Sequence, residues 1–423
     1  MQNDLFSLHL GLKILNVMKK DQQHTNVPHL RFPEFSGEWR KERLFDIAEL
    51  YKGVGISKDQ LSDDGKPCIL YGELYTKYKS EIINEIISKT NIDTTKLVRS
   101  KANDVIIPCS GETAEDIATA RCVLNDNIFL GGDLNIVRLY RYDGAFISYQ
   151  LNGKRKYDIA KVAQGVSVVH LYGEHLKNVQ TFNPGIEEQK KISRLLSILD
   201  ERIATQNKII EDLKKLRSAM CDTLIESEQH KVELAFRDFG ESYSGLSGKS
   251  AEDFGEGCPY ITYMNVYQNQ TIDMANVGLV KIKETEQQSV VRYGDILFTL
   301  SSETPEEVGM GAVYLGETYP LYLNSFCFGV HIIDENKIFP PFLAYYVSTK
   351  SFRKAVFPLA QGSTRFNLQK NDFMKKIFSF PTVERQKKIY LVLKAYSDKL
   401  SVEKSMAKLF CEQKNHLLRQ MFI

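Results

Sequence analysis

The sequence predicts an α+β protein made of two tandem mixed α/β domains, each followed by a long helix. The first reason is an internal repeat: the segment Ala163–Gly165 recurs 197 positions later as Ala360–Gly362, and Gln189–Ile192 recurs at the same distance as Gln386–Ile389. The second reason is that each half contains short strand-like runs before this segment. The third is that each half closes with about 40 residues of helical periodicity.

The repeat continues upstream with small changes of offset. The segment Asn103–Ile117 matches Gly294–Val308, and Pro67–Tyr75 matches Pro259–Tyr267, in the same order along both halves. Loop insertions produce drifts of this size, whereas chance does not preserve the order of several matches. We therefore interpret the chain as a duplicated unit.

Each half follows one plan, with β-rich runs, an aromatic helix and a long helix. The predicted strands include Asp104–Pro108, Ile136–Tyr140, Asp295–Leu300 and Phe328–Ile333. The predicted aromatic helices are Phe146–Ala163 and Phe342–Leu359. The domain boundaries follow as an N-terminal helix and linker (1–26), a first domain (27–183), a first long helix (184–226), a second domain (227–380) and a second long helix (381–423).

The two long helices are predicted to form an antiparallel coiled coil, because each carries an apolar seam at 4-3 spacing for about five heptads. The apolar seam residues are Ile192, Leu196, Leu199, Ile203 and Leu213 in the first helix and Ile389, Leu393, Tyr396, Leu400 and Phe410 in the second. Polar residues interrupt both seams at equivalent places, Gln206 with Glu403 and Arg217 with Lys414. These interruptions either face solvent or a third surface, or they fix the register of the helix pair.

Composition places further bounds on the function. The chain has 423 residues, a net charge of +2 and seven cysteines, none of them in a C-x-x-C pair. This cysteine usage disfavours a disulfide framework or a structural zinc site and favours a cytoplasmic protein. No apolar run approaches the length of a membrane span. The N-terminal residues Leu5–Met18 are predicted to form an amphipathic helix, with Leu5, Leu8, Leu12 and Leu15 on one stripe.

Sequence motifs of catalysis are incomplete. The segment Gly245–Ser250 ends like a phosphate-binding loop, but Tyr243 stands where the loop requires its first glycine. In Phe339–Phe342, a phenylalanine replaces the polar residue of an adenine methyltransferase motif, and the two prolines suit a helix start. His170 and His175 lie on either side of a glycine at a spacing that does not suit a metal site. We expect a protein without a catalytic site, metal or cofactor.

The segments Asn26–Trp39 and Ala360–Ile389, with the matching AQG and EEQKKI of the first half, resemble the specificity subunit of type I restriction–modification enzymes. The resemblance extends from about Asn26 onward and includes the two-half architecture. It implies two target-recognition domains that each read part of a split DNA site. It also implies two copies of an adenine-N6 methyltransferase subunit and an ATP-dependent restriction subunit as partners. S-adenosylmethionine, ATP and Mg would act in those partners, and the seam residues above would serve as spacer and docking positions.

The resemblance makes several polar residues candidates for DNA contact. Ser, Thr and Glu side chains in two matching loops can address base edges or cap short helices instead. The candidates are Lys52, Lys58, Ser110, Glu112, Thr113, Lys154, Arg155, Gln164, Lys249, Ser301, Ser302, Glu303, Thr304, Gln361, Ser363, Thr364 and Arg365. The first half has Val168 where the second has Arg365, so a contact by that arginine does not carry over. Tyr71, Tyr75, Tyr263 and Tyr267 lie on strand-like runs and are expected to pack rather than stack on bases.

A coiled-coil scaffold that assembles proteins without reading DNA is the alternative function. The long seams allow it, and two divergent globular domains would serve any adaptor with two ligands. Salt-dependent, sequence-selective DNA affinity in the presence of the partner distinguishes the two hypotheses.

Overall fold

The computed structural model describes residues 16–17, 26–92, 96–165 and 168–423. The chain divides into two compact units. The first comprises the residues up to Asn207 together with Ser405–Ile423, and the second comprises Lys208–Lys404. Each unit therefore contains one globular domain and part of both long helices.

The first unit is built on two five-stranded sheets. The main sheet has the order Ala48–Lys52, Leu134–Leu139, Asp104–Pro108, Arg121–Val123 and Ile82–Ile83. The second sheet has the order Leu61–Ser62, Ser88–Thr90, Lys66–Ile69, Phe129–Leu130 and Val98–Arg99. Two-stranded pairs join Arg40–Arg43 to Gln180–Asn183 and Ser110–Gly111 to Val169–His170. The central strand Asp104–Pro108 is buried throughout, as its β-branched sequence predicts.

The second unit repeats this arrangement with one fewer strand in its main sheet. The order is Gly240–Ser244, Cys327–Ile332, Ile296–Thr299 and Gly311–Val313. A second sheet contains Val277–Val280, Phe254–Ile261 and Tyr322–Leu323, and a third contains Ser301–Ser302, Phe366–Leu368 and Ala360–Gln361. Lys231–Ala235 pairs with Ile377–Pro381. Corresponding strands of the repeat take corresponding places in both main sheets, which supports the predicted duplication.

Short helices cover the sheets of both units. They include Leu44–Ile47, Ala114–Ile117, Gly173–Leu176 and Lys370–Lys375. Single 3₁₀ turns lie at Lys58–Gln60, Phe236–Asp238, Ala251–Asp253, Met274–Asn276, Pro305–Glu307 and Phe357–Leu359.

Each predicted aromatic helix is in fact two helices, so the prediction of one continuous helix was wrong. In the first unit, Gly144–Asn152 ends at Gly153, and a second helix covers Lys156–Val162. In the second unit, the helices are Pro340–Tyr346 and Lys350–Val356. The hydroxyl of Thr349 accepts a hydrogen bond from the Phe352 amide and so begins the latter helix. Pro340 starts its helix, as predicted.

The long helices cover Ile186–Glu226 and Val383–Gln420, each beginning two residues after the predicted start. They pack together in an antiparallel sense. In the first unit, Lys414 Nζ lies 2.6 Å from Asp200 Oδ1, and in the second unit, Arg217 Nη1 donates to Ser397 Oγ at 3.3 Å. Arg217 follows Asp200 by 17 residues, and Ser397 precedes Lys414 by 17, so both contacts fit one antiparallel register.

The polar interruptions of the seams do not face solvent. Gln206 is 6 % exposed and Glu403 is 5 % exposed, and Arg217 and Lys414 are half-buried with partners on the other helix. The prediction that they face solvent was therefore wrong, whereas the alternative of a third surface fits Lys414, which also contacts Glu81 of the globular domain. Polar residues at seam positions specify register at a cost in stability.

Only two residues of the predicted N-terminal helix, Asn16 and Val17, lie within the described part of the chain. Asn16–Val17 forms a short strand antiparallel to Leu30–Arg31, so the predicted helix Leu5–Met18 was wrong at these two residues. Strand pairing, which the local sequence does not encode, overrides helical periodicity here. The stripe of Leu5, Leu8, Leu12 and Leu15 lies outside the described residues. Within the described part of the chain, every helix is too short or too polar to cross a bilayer.

Candidate nucleic-acid interface

Two sequence segments that were predicted separately meet in each unit. In the first unit, Ser110 pairs with His170, so the loop after the central strand lies beside the segment that follows Gly165. In the second unit, Ser301 pairs with Asn367, and Asn367 also pairs with Gln361. These small sheets bring most of the loop candidates of each unit to one place. We call the surface around each of these small sheets the loop face. It surrounds Ser110 and Gln164 in the first unit and Ser301 and Gln361 in the second.

In each unit, a tyrosine hydroxyl donates a hydrogen bond to the backbone of the loop face. Tyr75 Oη donates to the Ser110 carbonyl at 3.0 Å, and Tyr263 Oη donates to the Ser301 carbonyl at 2.7 Å. These tyrosines lie on the short helices Glu73–Thr76 and Tyr263–Gln268, so the strand prediction for them was wrong. Burial raises the pKa of both hydroxyls, which keeps them protonated as donors. Their role is to position backbone, in agreement with the predicted packing role.

A turn that contains a glycine lies at one edge of each loop face. Gly165 has φ +122° and Gly362 has φ +142°, conformations that side chains rarely adopt. A Cβ on either glycine would lie 2.1 Å from a carbonyl oxygen, that of Val168 or of Arg365. The two glycines therefore have the same conformation and the same close contact, although the neighbouring residues differ. Val168 and Arg365 occupy equivalent places on it.

The second loop face presents an exposed polar run. Gln361, Ser363, Thr364 and Arg365 are all exposed. The Arg365 guanidinium lies 5.7 Å from the centre of the exposed Phe326 ring. The Phe326 carbonyl accepts from the Leu300 amide, which attaches this aromatic group to the loop. Phe326 was missed from the sequence because it lies outside the repeated motifs.

The first loop face carries different groups at the same place. Gln164 and His170 are exposed, and Ser110 Oγ lies 3.3 Å from His170 Nδ1. The exposed Tyr172 ring is 6.3 Å from the His170 ring. His170 takes the place of Asn367 of the second unit, and Val168 takes the place of Arg365. Across the described residues, no cluster of potential ligands for a metal ion occurs, so His170 is best treated as a hydrogen-bonding group.

Several candidates have structural partners that argue against DNA contact. Ser301 and Ser302 are buried, and Ser302 Oγ donates to Glu307, whose pKa is lowered by a hydrogen bond from Tyr267. Thr113 caps the helix Ala114–Ile117 by accepting from the Asp116 amide. The capping interpretation is thus confirmed for Thr113, whereas Thr304 makes no such cap.

Two basic candidates were misplaced by sequence reasoning. The Lys249 side chain is 4 % exposed and pairs with Glu286, so it does not suit a phosphate ligand. Arg155 donates to the Ile423 carbonyl and pairs with Asp158, which makes it a structural contact with the last residue. The remaining candidates Lys52, Lys58, Glu112, Lys154 and Glu303 are exposed.

The long helices bear a second apolar stripe that sequence reasoning missed. The predicted seam residues are all buried or half-buried, which suits a spacer but leaves little surface for docking. Outward-facing apolar residues are instead Ile198, Ile209 and Leu216 on the first helix and Leu391, Val402 and Leu409 on the second, between 36 and 65 % exposed. Both sets have spacings of 11 and 7 residues, which return to one helix face.

The chain is similar to known specificity subunits over most of its length. A family described as the type I restriction modification DNA specificity domain matches residues 36–215 and 236–408. The type I restriction enzyme MjaVIII specificity subunit of Methanocaldococcus jannaschii is 24 % identical over 415 residues, covering 91 % of each chain.

Solved structures support the same fold. The type I restriction–modification S subunit from M. genitalium has a TM-score of 0.57 at 17 % identity, covering 94 % of this chain and 99 % of that one. A chain solved in work on complex assembly and conformational transition of the type I R-M system has a TM-score of 0.56 at 16 % identity, with coverages of 92 and 98 %. The two family matches span more than half of the sequence, one in each half. The chain therefore belongs to the type I restriction modification DNA specificity domain family, and it is a non-catalytic DNA-recognition subunit.

Proposed function

We propose that the chain reads a DNA site in two separate parts, one with each loop face, for a type I restriction–modification complex. The observation that carries this proposal is that one backbone arrangement, supported by the same tyrosine hydrogen bond and the same glycine turn, presents different side chains in the two units. Because the backbone is arranged alike in the two units, both loop faces would approach DNA in the same way. Their different side chains would then select different bases.

The exposed groups have the chemistry to read base edges. A glutamine amide such as that of Gln361 pairs with adenine, and an arginine such as Arg365 pairs with guanine or a phosphate. The first loop face offers Gln164 and His170 with Val168, so it would have fewer charged contacts. We infer that the two half-sites differ in sequence. The net charge of +2 favours a large share of phosphate contact by partner subunits.

The partners in this proposal are two copies of an adenine-N6 methyltransferase subunit and an ATP-dependent restriction subunit. S-adenosylmethionine, ATP and Mg would be bound by those subunits, and the complex would act in the cytoplasm. The two outward stripes support the number two, because each long helix carries one of them. Exposed apolar stripes on helices favour association with partner helices.

We expect co-expression of this chain with its methyltransferase subunit in a methylation-free host to produce N6-methyladenine at one split motif. Gln361→Ala should change the motif at one half-site only, and Gln164→Ala should change it at the other, because the two residues lie at the same place in different units. Loss of a good base contact costs about 1–3 kcal/mol, or roughly 5- to 150-fold in discrimination. Genome-wide mapping of methylated adenines measures both effects.

Two outcomes would count against bipartite reading. If both substitutions alter the same half-site, the two loop faces do not read separately. If a stable complex forms and no methylation appears, the scaffold alternative is favoured. Lys154→Ala provides a matched control, since a phosphate contact by this exposed lysine would carry no base information and its loss should leave the motif unchanged.

We expect Leu216→Glu or Leu409→Glu to remove one methyltransferase copy each, and the double variant to remove both. A carboxylate in an apolar contact is poorly solvated and disrupts it. Native mass spectrometry of the purified complex counts the copies. Lys215→Glu and Lys408→Glu are matched controls on the same helices with exposed side chains. Two bound copies in the double variant would exclude these stripes as docking surfaces.

A further inference from the structure

The first unit contains a buried charged cluster that joins three separate parts of the chain. Lys414 Nζ on the second long helix lies 2.6 Å from Asp200 Oδ1 on the first and 2.5 Å from Glu81 Oε2 of the globular domain. The side chains of Lys414, Glu81 and Asp200 are only 13, 10 and 10 % exposed. We call Lys414, Asp200, Glu81 and the Tyr149 hydroxyl the cross-helix cluster.

Neutral groups complete the cluster. Tyr149 Oη, on the helix Gly144–Asn152, donates to Asp200 Oδ2 at 2.6 Å, and Lys414 Nζ lies 5.5 Å from the centre of the Tyr149 ring. Ser80 Oγ donates to the same carboxylate oxygen at 3.2 Å. The Arg121 guanidinium also interacts electrostatically with Glu81 and Asp200. With Arg121 included, two positive charges face two negative charges.

The lysine keeps its charge in this environment. Burial lowers the pKa of Lys414, but the carboxylates of Glu81 and Asp200 outweigh burial, so its pKa is raised. Burial and the charge on Asp200 also raise the pKa of Tyr149, which therefore stays a donor. Charged hydrogen bonds are short and directional, so they fix an orientation that apolar packing alone leaves free to slide.

The second unit has a counterpart at equivalent positions, in which a serine hydroxyl replaces the carboxylate. Arg217 replaces Lys414, Ser397 replaces Asp200, and Tyr345 Oη lies 3.0 Å from Ser397 Oγ where Tyr149 meets Asp200. Both pairs of helix residues are 197 positions apart. In each unit, a basic residue of one long helix reaches a polar residue of the other, and a tyrosine of the globular domain meets it there. The duplication has preserved the arrangement while the charge has changed.

We propose that Lys414 is a positioning residue that fixes the first recognition domain on the helix pair and thereby restricts the number of base pairs allowed between the two half-sites. The inference rests on the function proposed above. The cluster joins the domain to both helices beside the apolar contacts of Leu196, Leu199 and Leu417, so it restrains the orientation in which the domain presents its loop face. A buried charge that loses its partners is costly, so alternative orientations of the domain are disfavoured.

The test uses the complex of the full chain with its methyltransferase subunit. Plasmids carry both half-sites with the native spacing, one base pair more, or one base pair fewer, and the ratio of methylation at altered to native spacing is measured. We expect Lys414→Met to raise this ratio by at least about threefold, because groups in one buried network are strongly coupled. Lys414→Arg should keep the wild-type ratio. Arg217→Met, in the counterpart without the carboxylate, should raise it less.

Tyr149→Phe removes only the hydroxyl and keeps all charges, so it decides the matter if Lys414→Met does not assemble. A smaller increase of the ratio in Tyr149→Phe supports the proposal. If the Lys414→Met complex assembles and its ratio is unchanged, the proposal is overturned and Lys414 has a purely stabilising role. If Lys414→Met fails to assemble, an unchanged ratio in Tyr149→Phe overturns the proposal in the same way. The absence of methylation with the wild-type chain would instead contradict the proposed function.

Discussion

Replacing Phe236 with alanine is expected to lower the free energy of unfolding of the second unit by about 3–5 kcal/mol, the usual cost of removing a buried phenylalanine. Phe236 is fully buried in an aromatic cluster. The centres of six other rings lie 4.9–6.3 Å from its own, those of Phe239, Phe298, Phe352, Phe373, Phe378 and Phe380. Backbone hydrogen exchange of the strand Ile296–Thr299 measures this loss directly.

An exposed phenylalanine in the same unit provides a control for Phe236→Ala. Phe357 is exposed, so Phe357→Ala should change stability by less than about 1 kcal/mol. Hydrogen exchange in the strand Asp104–Pro108 of the first unit should respond less to Phe236→Ala than exchange in Ile296–Thr299. Equal losses for the buried and the exposed phenylalanine would show that the aromatic cluster is not the source of stability.

Replacing Glu188 with leucine is expected to destabilise the first unit by about 3–5 kcal/mol, because the substitution leaves a buried arginine without its counter-ion. Arg31 Nε and Nη2 each donate to one carboxylate oxygen of Glu188 at 2.7 Å, and the two side chains are 7 and 3 % exposed. Trp39 Nε1 donates to the same carboxylate at 3.3 Å. Chemical unfolding followed by the fluorescence of Trp39, the one tryptophan, reports this region.

The second unit offers a matched control for Glu188. The pair Arg385–Glu228 lies at the start of the second long helix, and Arg385 is 197 positions after Glu188, with the charges reversed. Its arginine side chain is exposed, so Glu228→Leu should cost much less stability than Glu188→Leu. The double variant Arg31→Met, Glu188→Leu should recover much of the lost stability. A double variant no more stable than Glu188→Leu would contradict the explanation by an unpaired charge.

Much of the architecture could be predicted because it is encoded at short range or by repetition. The offset that relates Gln189–Ile192 to Gln386–Ile389 predicted the duplication, and the seam spacing predicted two helices that the structure contains almost to the residue. The aromatic helices were predicted too long because helical periodicity continues past Gly153, whereas the chain turns there. Local patterns thus gave the type of element more reliably than its ends.

The candidate site was harder to predict because its geometry depends on distant partners. Arg155 looked like a phosphate ligand, yet its partner is a carbonyl 268 positions away. Lys249 resembles a solvated loop lysine until the ion pair with Glu286 is known. Ser301 and Ser302 follow an exposed-looking pattern, but the strand Phe366–Leu368 covers them. Candidates in turns and loops, such as Gln164 and the segment Gln361–Arg365, are exposed in the structure, because no distant part of the chain covers them.

The division of the first unit between two distant stretches of chain has a consequence for biosynthesis. Its core includes Leu417, Met421 and Phe422, and residues 208–404 must be translated before these can be added. At roughly 5–20 residues per second, this takes about 10–40 s. During that interval the nascent first unit lacks the side chains that cover Trp39 and Phe146, so apolar surface is open to chaperones. Pauses in translation after residue 207 would lengthen this exposure and lower the yield of folded protein.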